Sequence, residues 1–263
     1  MPRRQRSRVA LLTVLLAIAL AALPGWAASI SSPTSVSPSS SPAASAQTFR
    51  LVSYNILGSD TESAERLIEA LVARAPAVVG LVEVAQSRAD ELAADPRLAE
   101  LYPWQEYRPN APNGGLAVLS SYPMEVQASD PWVPVIVTRV DVDGTPVAFI
   151  AAHAINPLRS SRRDAQLTAM RGLIDEQAAA GLPVVLAGDL NTNAFEPAFW
   201  PLSSGLTDVD AGATWGPDPN GPAILRIDHI LTTPDLVPGD AAVDCDASAS
   251  DHCLLEAVIG LGS

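Results

Sequence analysis

Short apolar runs that end in a polar side chain recur along this chain, and they restrict the folds open to it. LVSY leads into Asn55, VVGLV into Glu83, AFIAA into His153 and VVLAG into Asp189, while Asp228 lies inside LRIDHIL and Asp251 with His252 precedes CLLEAVI. One polar group at the end of a buried strand is ordinary. A whole set makes a poor core unless the groups converge. In VVLAGDLNTNAFEP, residues 184–197, a strand alternates its faces, so Asp189 and Asn191 project together and Leu190 turns back. Because Gly, Asp and Asn also form turns, this stretch alone fits an ordinary strand exit equally well. Convergence of the set would gather four carboxylates, two carboxamides and two imidazoles. That composition suits a hard divalent cation beside a general acid or base.

The remaining pattern alternates strands with helices. Strands are predicted over 49–57, 77–84, 114–121, 184–189, 225–233 and 253–261, and PVIVTRVDVDGTPVAFIAAHA reads as two strands around an Asp143-Gly144 hairpin turn. A helix over 61–75 places Ala64, Leu67, Ile68, Leu71 and Val72 on one face and stops at Pro76; others are predicted over 87–95 and 161–178. Hairpins mixed with crossover helices favour two mixed sheets packed face to face with helices outside, rather than one doubly wound parallel sheet. No internal repeat is visible.

The folded unit begins near Phe49. MPRRQRSR followed by VALLTVLLAIALAAL has the charge and hydropathy of a signal sequence, with Gly25-Trp26-Ala27 offering small residues to a peptidase, so residues 1–28 are read as a signal peptide. Left uncleaved, Val9 to Ala28 would be long enough to span a bilayer as an anchor. Either reading puts the rest of the chain outside the cell. Residues 29–48 are Ser, Pro, Ala and Thr almost throughout, an uncharged and flexible linker, which leaves 49–263 for one α/β domain. Removing the four arginines of the first eight residues from the 16 basic ones leaves 12 against 29 acidic side chains, a net charge of −17 on that domain. Such a surface repels polyanions and argues against a stable nucleic-acid complex, while still allowing an arginine-lined pocket for one phosphate.

Several residues have two readings. Cys245 and Cys253, eight residues apart, either form a disulfide across a short loop or remain free thiols. His229 should face away from its neighbour Asp228, as a structural histidine. Arg159, Arg162 and Arg163 either meet an anionic substrate or start a solvated helix, and Trp215 either lines the site mouth or packs its own Gly/Pro loop.

Taken in order, SYNIL, GLVEV, AAHAINP, AGDLNTN, RIDHIL and SDHCLLEAVI resemble the endonuclease/exonuclease/phosphatase superfamily of metal-dependent phosphoesterases, over the span 49–261. The resemblance implies a four-layer, deoxyribonuclease I-like α/β sandwich and hydrolysis of a phosphodiester or phosphomonoester by in-line attack of water. Position by position, it implies Glu83 as the main ligand of Mg²⁺, with Mn²⁺ or Ca²⁺ as alternatives, and Asn55 and Asp251 near the ion. Asp189 would orient or deprotonate the water, and Asn191 would hold a phosphate oxygen. Asp228 would fix His252, which would stabilise the phosphoryl group or transfer a proton, and His153 would be a phosphate ligand or general acid. The implied partner is a phosphate ester, with nucleic acid one substrate to consider and a monomer the expected state. A non-catalytic binding module on this scaffold is the rival reading; a decayed site should have lost one of these residues, and none is lost.

Overall fold

The computed structural model describes residues 47–57, 64–218, 221–247 and 250–262. The segment read as signal peptide and nearly all of the linker lie outside the described residues. Among the described residues the strands are β1 (Thr48–Asn55), β2 (Val78–Val82), β3 (Trp104–Arg108), β4 (Leu116–Ser120), β5 (Met124–Val126), β6 (Val135–Val142), β7 (Thr145–His153), β8 (Val184–Asp189), β9 (Thr207–Asp208), β10 (Asp228–Thr232), β11 (Leu236–Asp244) and β12 (Leu254–Leu261). The helices are α1 (Glu65–Arg74), α2 (Gln86–Ala94), α3 (Pro96–Leu101), α4 (Ser160–Ala179) and α5 (Phe199–Ser203).

Two six-stranded sheets result, one ordered β11-β12-β1-β2-β4-β3 and the other β5-β6-β7-β8-β10-β9. Their facing sides share one apolar cluster, with Leu51, Val78 and Ile259 from the first sheet against Ile136, Phe149 and Val185 from the second. Outside the first sheet, Leu67, Ile68 and Leu71 of α1, Leu92 of α2 and Leu98 of α3 close a second core. Leu167, Met170 and Ile174 of α4, with Phe199 and Leu202 of α5, close a third beyond the second sheet. These layers are the sandwich expected from sequence. Among the described residues no helix is long and apolar enough to cross a membrane.

Helix α1 buries Leu67, Ile68 and Leu71 as its periodicity requires, and ends where Ala75 turns left-handed, one residue before Pro76. Asp143 and Gly144 both take positive φ, the geometry that a two-residue hairpin needs. Four strands escape the sequence pattern, β3, β11 and the short β5 and β9, and all four are sheet edges. WQEYR of β3 lies on a sheet edge with every side chain partly exposed, so it shows no apolar alternation. β11 is also an edge strand, its register shifting between Pro238 and Ala241, which places a proline and a glycine where a central strand would exclude them. The strand predicted over 225–233 begins only at Asp228, because Leu225 bridges to Trp215 instead.

Each sheet has one parallel pair at its centre: β1 with β2, joined through α1, and β7 with β8, joined through α4. The carboxyl ends of these four strands lie at one edge of the sandwich. Antiparallel neighbours begin there as well, with Asp228 of β10 opposite Asp189, and Leu255 of β12 opposite Ser53. The backbone of β8 passes close to β7 just before this edge. A Cβ on Gly188, whose φ is +153°, would lie 1.8 Å from the Ala152 carbonyl oxygen. Gly188→Ala should therefore lower unfolding stability by about 3 kcal/mol, as overpacking and a disallowed φ combine. A urea titration checks this, with an unchanged midpoint as the contrary result.

Candidate active site

Asn55 ends β1, Glu83 follows β2, His153 ends β7 and Asp189 ends β8, so the strand-end rule places one functional side chain on each parallel strand. The Asn55 amide nitrogen donates to Glu83 Oε1 at 3.1 Å and to Asp189 Oδ2 at 3.0 Å, joining the two sheets, and lies 3.3 Å from His252 Nε2. Its Oδ1 accepts the Leu57 amide at 3.0 Å, so Asn55 also caps the turn after β1. Glu83 adopts a left-handed backbone, φ 59°, which costs a non-glycine residue roughly 1 kcal/mol or more and turns its carboxylate out of the strand. His153 Nε2 lies 3.5 Å from Asp189 Oδ2 and 3.7 Å from Glu83 Oε1.

Asp189 is buried at the centre of the group. Asn191, at φ 48°, donates its backbone amide to Asp189 Oδ1 at 2.8 Å and its side-chain amide to Asp189 Oδ2 at 3.2 Å. Across the sheet, Asp228 Oδ2 accepts from His252 Nδ1 at 2.8 Å, which aims Nε2 at Asp189 Oδ2, 3.6 Å away. Burial pushes the Asp189 carboxyl up to about 7, assisted by the neighbouring Asp228 and opposed by His252 and the amide donors. Burial also disfavours a charged His252, but the carboxylates of Asp228 and Asp189 outweigh it and raise the imidazole to about 10. His153 shifts downward, with burial the leading cause. The two histidines thus shift in opposite directions, His252 upward beside Asp228 and Asp189 and His153 downward in its buried place.

Asp251 stands somewhat apart. Its Oδ2 accepts the Trp215 indole N–H at 3.0 Å, and its Oδ1 is buried without a partner. Among the described residues two groups form in which the ligating atoms all lie within 4.8 Å of one another, Glu83 with His153 and Asp189, and Asp189 with Asp228 and His252; Asp251 is in neither. Trp215 does reach the site, bridging to His252 through the backbone with its ring 6.5 Å from the imidazole. His229 is fully buried on the opposite face, with Nδ1 3.1 Å from Asp208 and Nε2 3.0 Å from the Thr192 carbonyl oxygen, as its strand position implied. Cys245 and Cys253 form a disulfide, which ties the end of β11 to the residue after His252.

Two residues that the sequence does not mark as site candidates complete the surroundings; Gly114, predicted as the start of a strand, lies in the turn before β4. Asn113 donates its side-chain amide to the His153 carbonyl oxygen at 2.7 Å, and Gly114 lies against Glu83, where an added Cβ would be 3.4 Å from the Glu83 Cγ. Both come from PNAPNGG; its Asn-Gly-Gly signals a turn, but nothing in the sequence says what the turn touches.

A family model described as Endonuclease/Exonuclease/phosphatase family matches residues 52–252, and the chain belongs to that family. The family's members are metal-dependent phosphoesterases, and the protein is an enzyme of that class, a phosphoric ester hydrolase. No curated protein matches the chain. Among solved structures, a truncated TDP2 from Caenorhabditis elegans is similar at TM-score 0.65 and 18% identity, covering 81% of this chain and 98% of that one. An endonuclease/exonuclease/phosphatase from Beutenbergia cavernae is similar at 0.61 and 24%, covering 82% and 72%, and a beta toxin from Staphylococcus aureus at 0.56 and 20%, covering 80% and 99%. They share the deoxyribonuclease I-like fold described above.

The His252 environment has a measurable consequence. A histidine raised from 6.5 to about 10 on folding contributes stability that is full below pH 6.5 and is lost as pH rises toward 10. Metal-free protein should lose unfolding free energy between pH 7 and 10, and His252→Gln should flatten that slope. Urea midpoints across this range test it, and equal slopes would contradict the assignment.

Proposed function

We propose that the protein is an exported, Mg²⁺-dependent phosphoesterase that cleaves a phosphodiester or phosphomonoester by in-line attack of water. The observation carrying this reading is the buried Asp189 carboxylate, approached by Asn55, Asn191, His153 and His252 within 3.0–3.6 Å. A turn-forming aspartate at a strand exit would be solvated instead. The ligating atoms fit a hard cation: carboxylate oxygens of Glu83, Asp189 and Asp228 cluster here beside the two imidazoles, and Asp251 Oδ1 and Asp228 Oδ1 are buried without a partner. Glu83 would hold the ion, with Asn55 and Asp251 beside it. When bound, Mg²⁺ neutralises charge that develops on the phosphoryl oxygens.

The chain's own residues supply the rest. Asp189, raised to about 7, accepts a proton from the attacking water. Asn191 exchanges its side-chain bond to Asp189 for one to a phosphoryl oxygen. With Nδ1–H given to Asp228, the charged His252 offers its Nε2 proton to the phosphoryl group. His153 stays neutral through burial, its Nε2 facing the carboxylates of Glu83 and Asp189, and so suits a phosphate ligand better than a general acid.

The acidic domain favours a substrate that needs only a local pocket, a small phosphoester or a lipid headgroup. One solved neighbour, TDP2 from D. rerio, is complexed with a single-strand DNA product, at 19% identity, which makes nucleic acid the second substrate class to test. Export follows from the reading of residues 1–28.

EDTA should abolish hydrolysis of bis(4-nitrophenyl) phosphate, and Mg²⁺ or Mn²⁺ should restore it; full activity in a demetallated sample would overturn the metal dependence. Asp189→Ala, shown folded by circular dichroism, should lower kcat at least about 10²-fold with a much smaller change in KM. Turnover near that of the wild type would make AGDLNTN a turn and nothing more.

A further inference from the structure

Helix α4 presents Arg163, Gln166, Leu167, Met170 and Ile174 inward. The last three fill the outer core, as an amphipathic helix should. The first two are polar, and burying a guanidinium costs several kcal/mol unless its donors are satisfied. Arg163 is 4% exposed. Its Nη1 donates to the Asn191 carbonyl oxygen at 2.9 Å and pairs with Glu196 Oε2 at 2.8 Å, and its Nε and Nη2 each lie 3.2 Å from Asp164 Oδ1. One turn later, Gln166 Oε1 accepts the Ile155 amide at 2.8 Å, two residues beyond His153. The inward face of one helix therefore grips the chain leaving β7 and the chain leaving β8.

We infer that Arg163 is a positioning residue for the reaction proposed above, acting through Asn191. Asn191 holds a left-handed backbone, φ 48°, which persists only where its surroundings over-determine it. Its own amide is fixed by Asp189 and its side chain by the Ala154 carbonyl at 2.9 Å. Arg163 fixes the remaining group, its carbonyl, and His229 Nε2 meets the next carbonyl, that of Thr192, from the opposite side. Without the guanidinium, the peptide after Asn191 is free to rotate, and the side-chain amide that must meet the phosphoryl oxygen loses its fixed origin. Arg159 and Arg162, the other two arginines of PLRSSRRD, are exposed and make no ion pair among the described residues. The three arginines thus divide: two face solvent, and one is consumed by the architecture of the site.

The inference rests on the phosphoesterase reading, and a double-mutant cycle separates the two. Arg163→Ala should lower kcat on bis(4-nitrophenyl) phosphate with Mg²⁺ by about 10-fold or more, with KM moving less than about 3-fold. In an Asn191→Ala background the same change should have almost no further effect on kcat, because the residue through which it acts is gone. Arg163→Lys, which keeps a buried cationic donor, should recover part of the loss. Should Arg163→Ala not fold, Glu196→Gln takes its place in the cycle, with a smaller loss that again vanishes beside Asn191→Ala. An equal kcat loss in both backgrounds, or a fall in melting temperature with kcat unchanged, would overturn the inference. Wild-type turnover in Asn191→Ala itself would overturn the site reading and this inference together.

Discussion

The hydrogen bond from Asn55 to Asp189, 3.0 Å long and made between the two sheets, is the contact on which the site depends. It exists because the sheets pack face to face with their central parallel pairs superposed, so that β1 and β8 end opposite one another. A parallel pair requires a crossover, and both crossovers here are helices that cover the outer faces. The same connections that build the layers therefore bring the carboxyl ends of four strands to one edge. Strand ends are where backbone groups lose ladder partners, and they are also where polar side chains can be aimed at a common point without crossing the core.

Electrostatics then gives those side chains distinct characters. Asp189 is enclosed and surrounded by donors, a combination that holds it near neutrality in pKa. His252 receives two carboxylates and stays charged, while His153 lacks an equivalent Asp228 partner and does not. Two imidazoles in one site are thus pushed in opposite directions, His252 up by the carboxylates of Asp228 and Asp189 and His153 down chiefly by burial. The orphaned oxygens of Asp228 and Asp251 are unsatisfied acceptors in this arrangement, and a hard cation is the kind of ligand that would complete them.

Much of the site could be read from residue order, because a period-two strand and its terminal polar residue are local features. Asn55, Glu83, His153 and Asp189 each end an apolar run, Asp228 and His252 stand at or before the start of one, and Asn191 follows two residues after Asp189; the structure gathers all seven. Asn113 and Gly114 could not be read this way, since a turn's sequence specifies its own φ and ψ but not the strand it will rest upon. Arg163 was ambiguous for a related reason: three arginines at a helix start look alike until a packed neighbour distinguishes the buried one. The edge strands β3, β5, β9 and β11 are not legible in the sequence, because an edge accepts residues that a central strand rejects and two of them are only two or three residues long.

By itself, the sequence determined the alternation of strands and helices, the sandwich class and the identity of the polar residues that end each buried strand. Backbone propensity and hydrophobic period act over a few residues and leave their mark in every stretch of chain. Tertiary structure alone decided which of those residues share a hydrogen bond, which histidine is charged, and that Arg163 grips the Asn191 loop rather than the substrate. Those outcomes turn on distances of 3–4 Å between residues far apart in the chain, 134 positions for Asn55 and Asp189, and such distances are set only when both sheets and their covering helices close on one core.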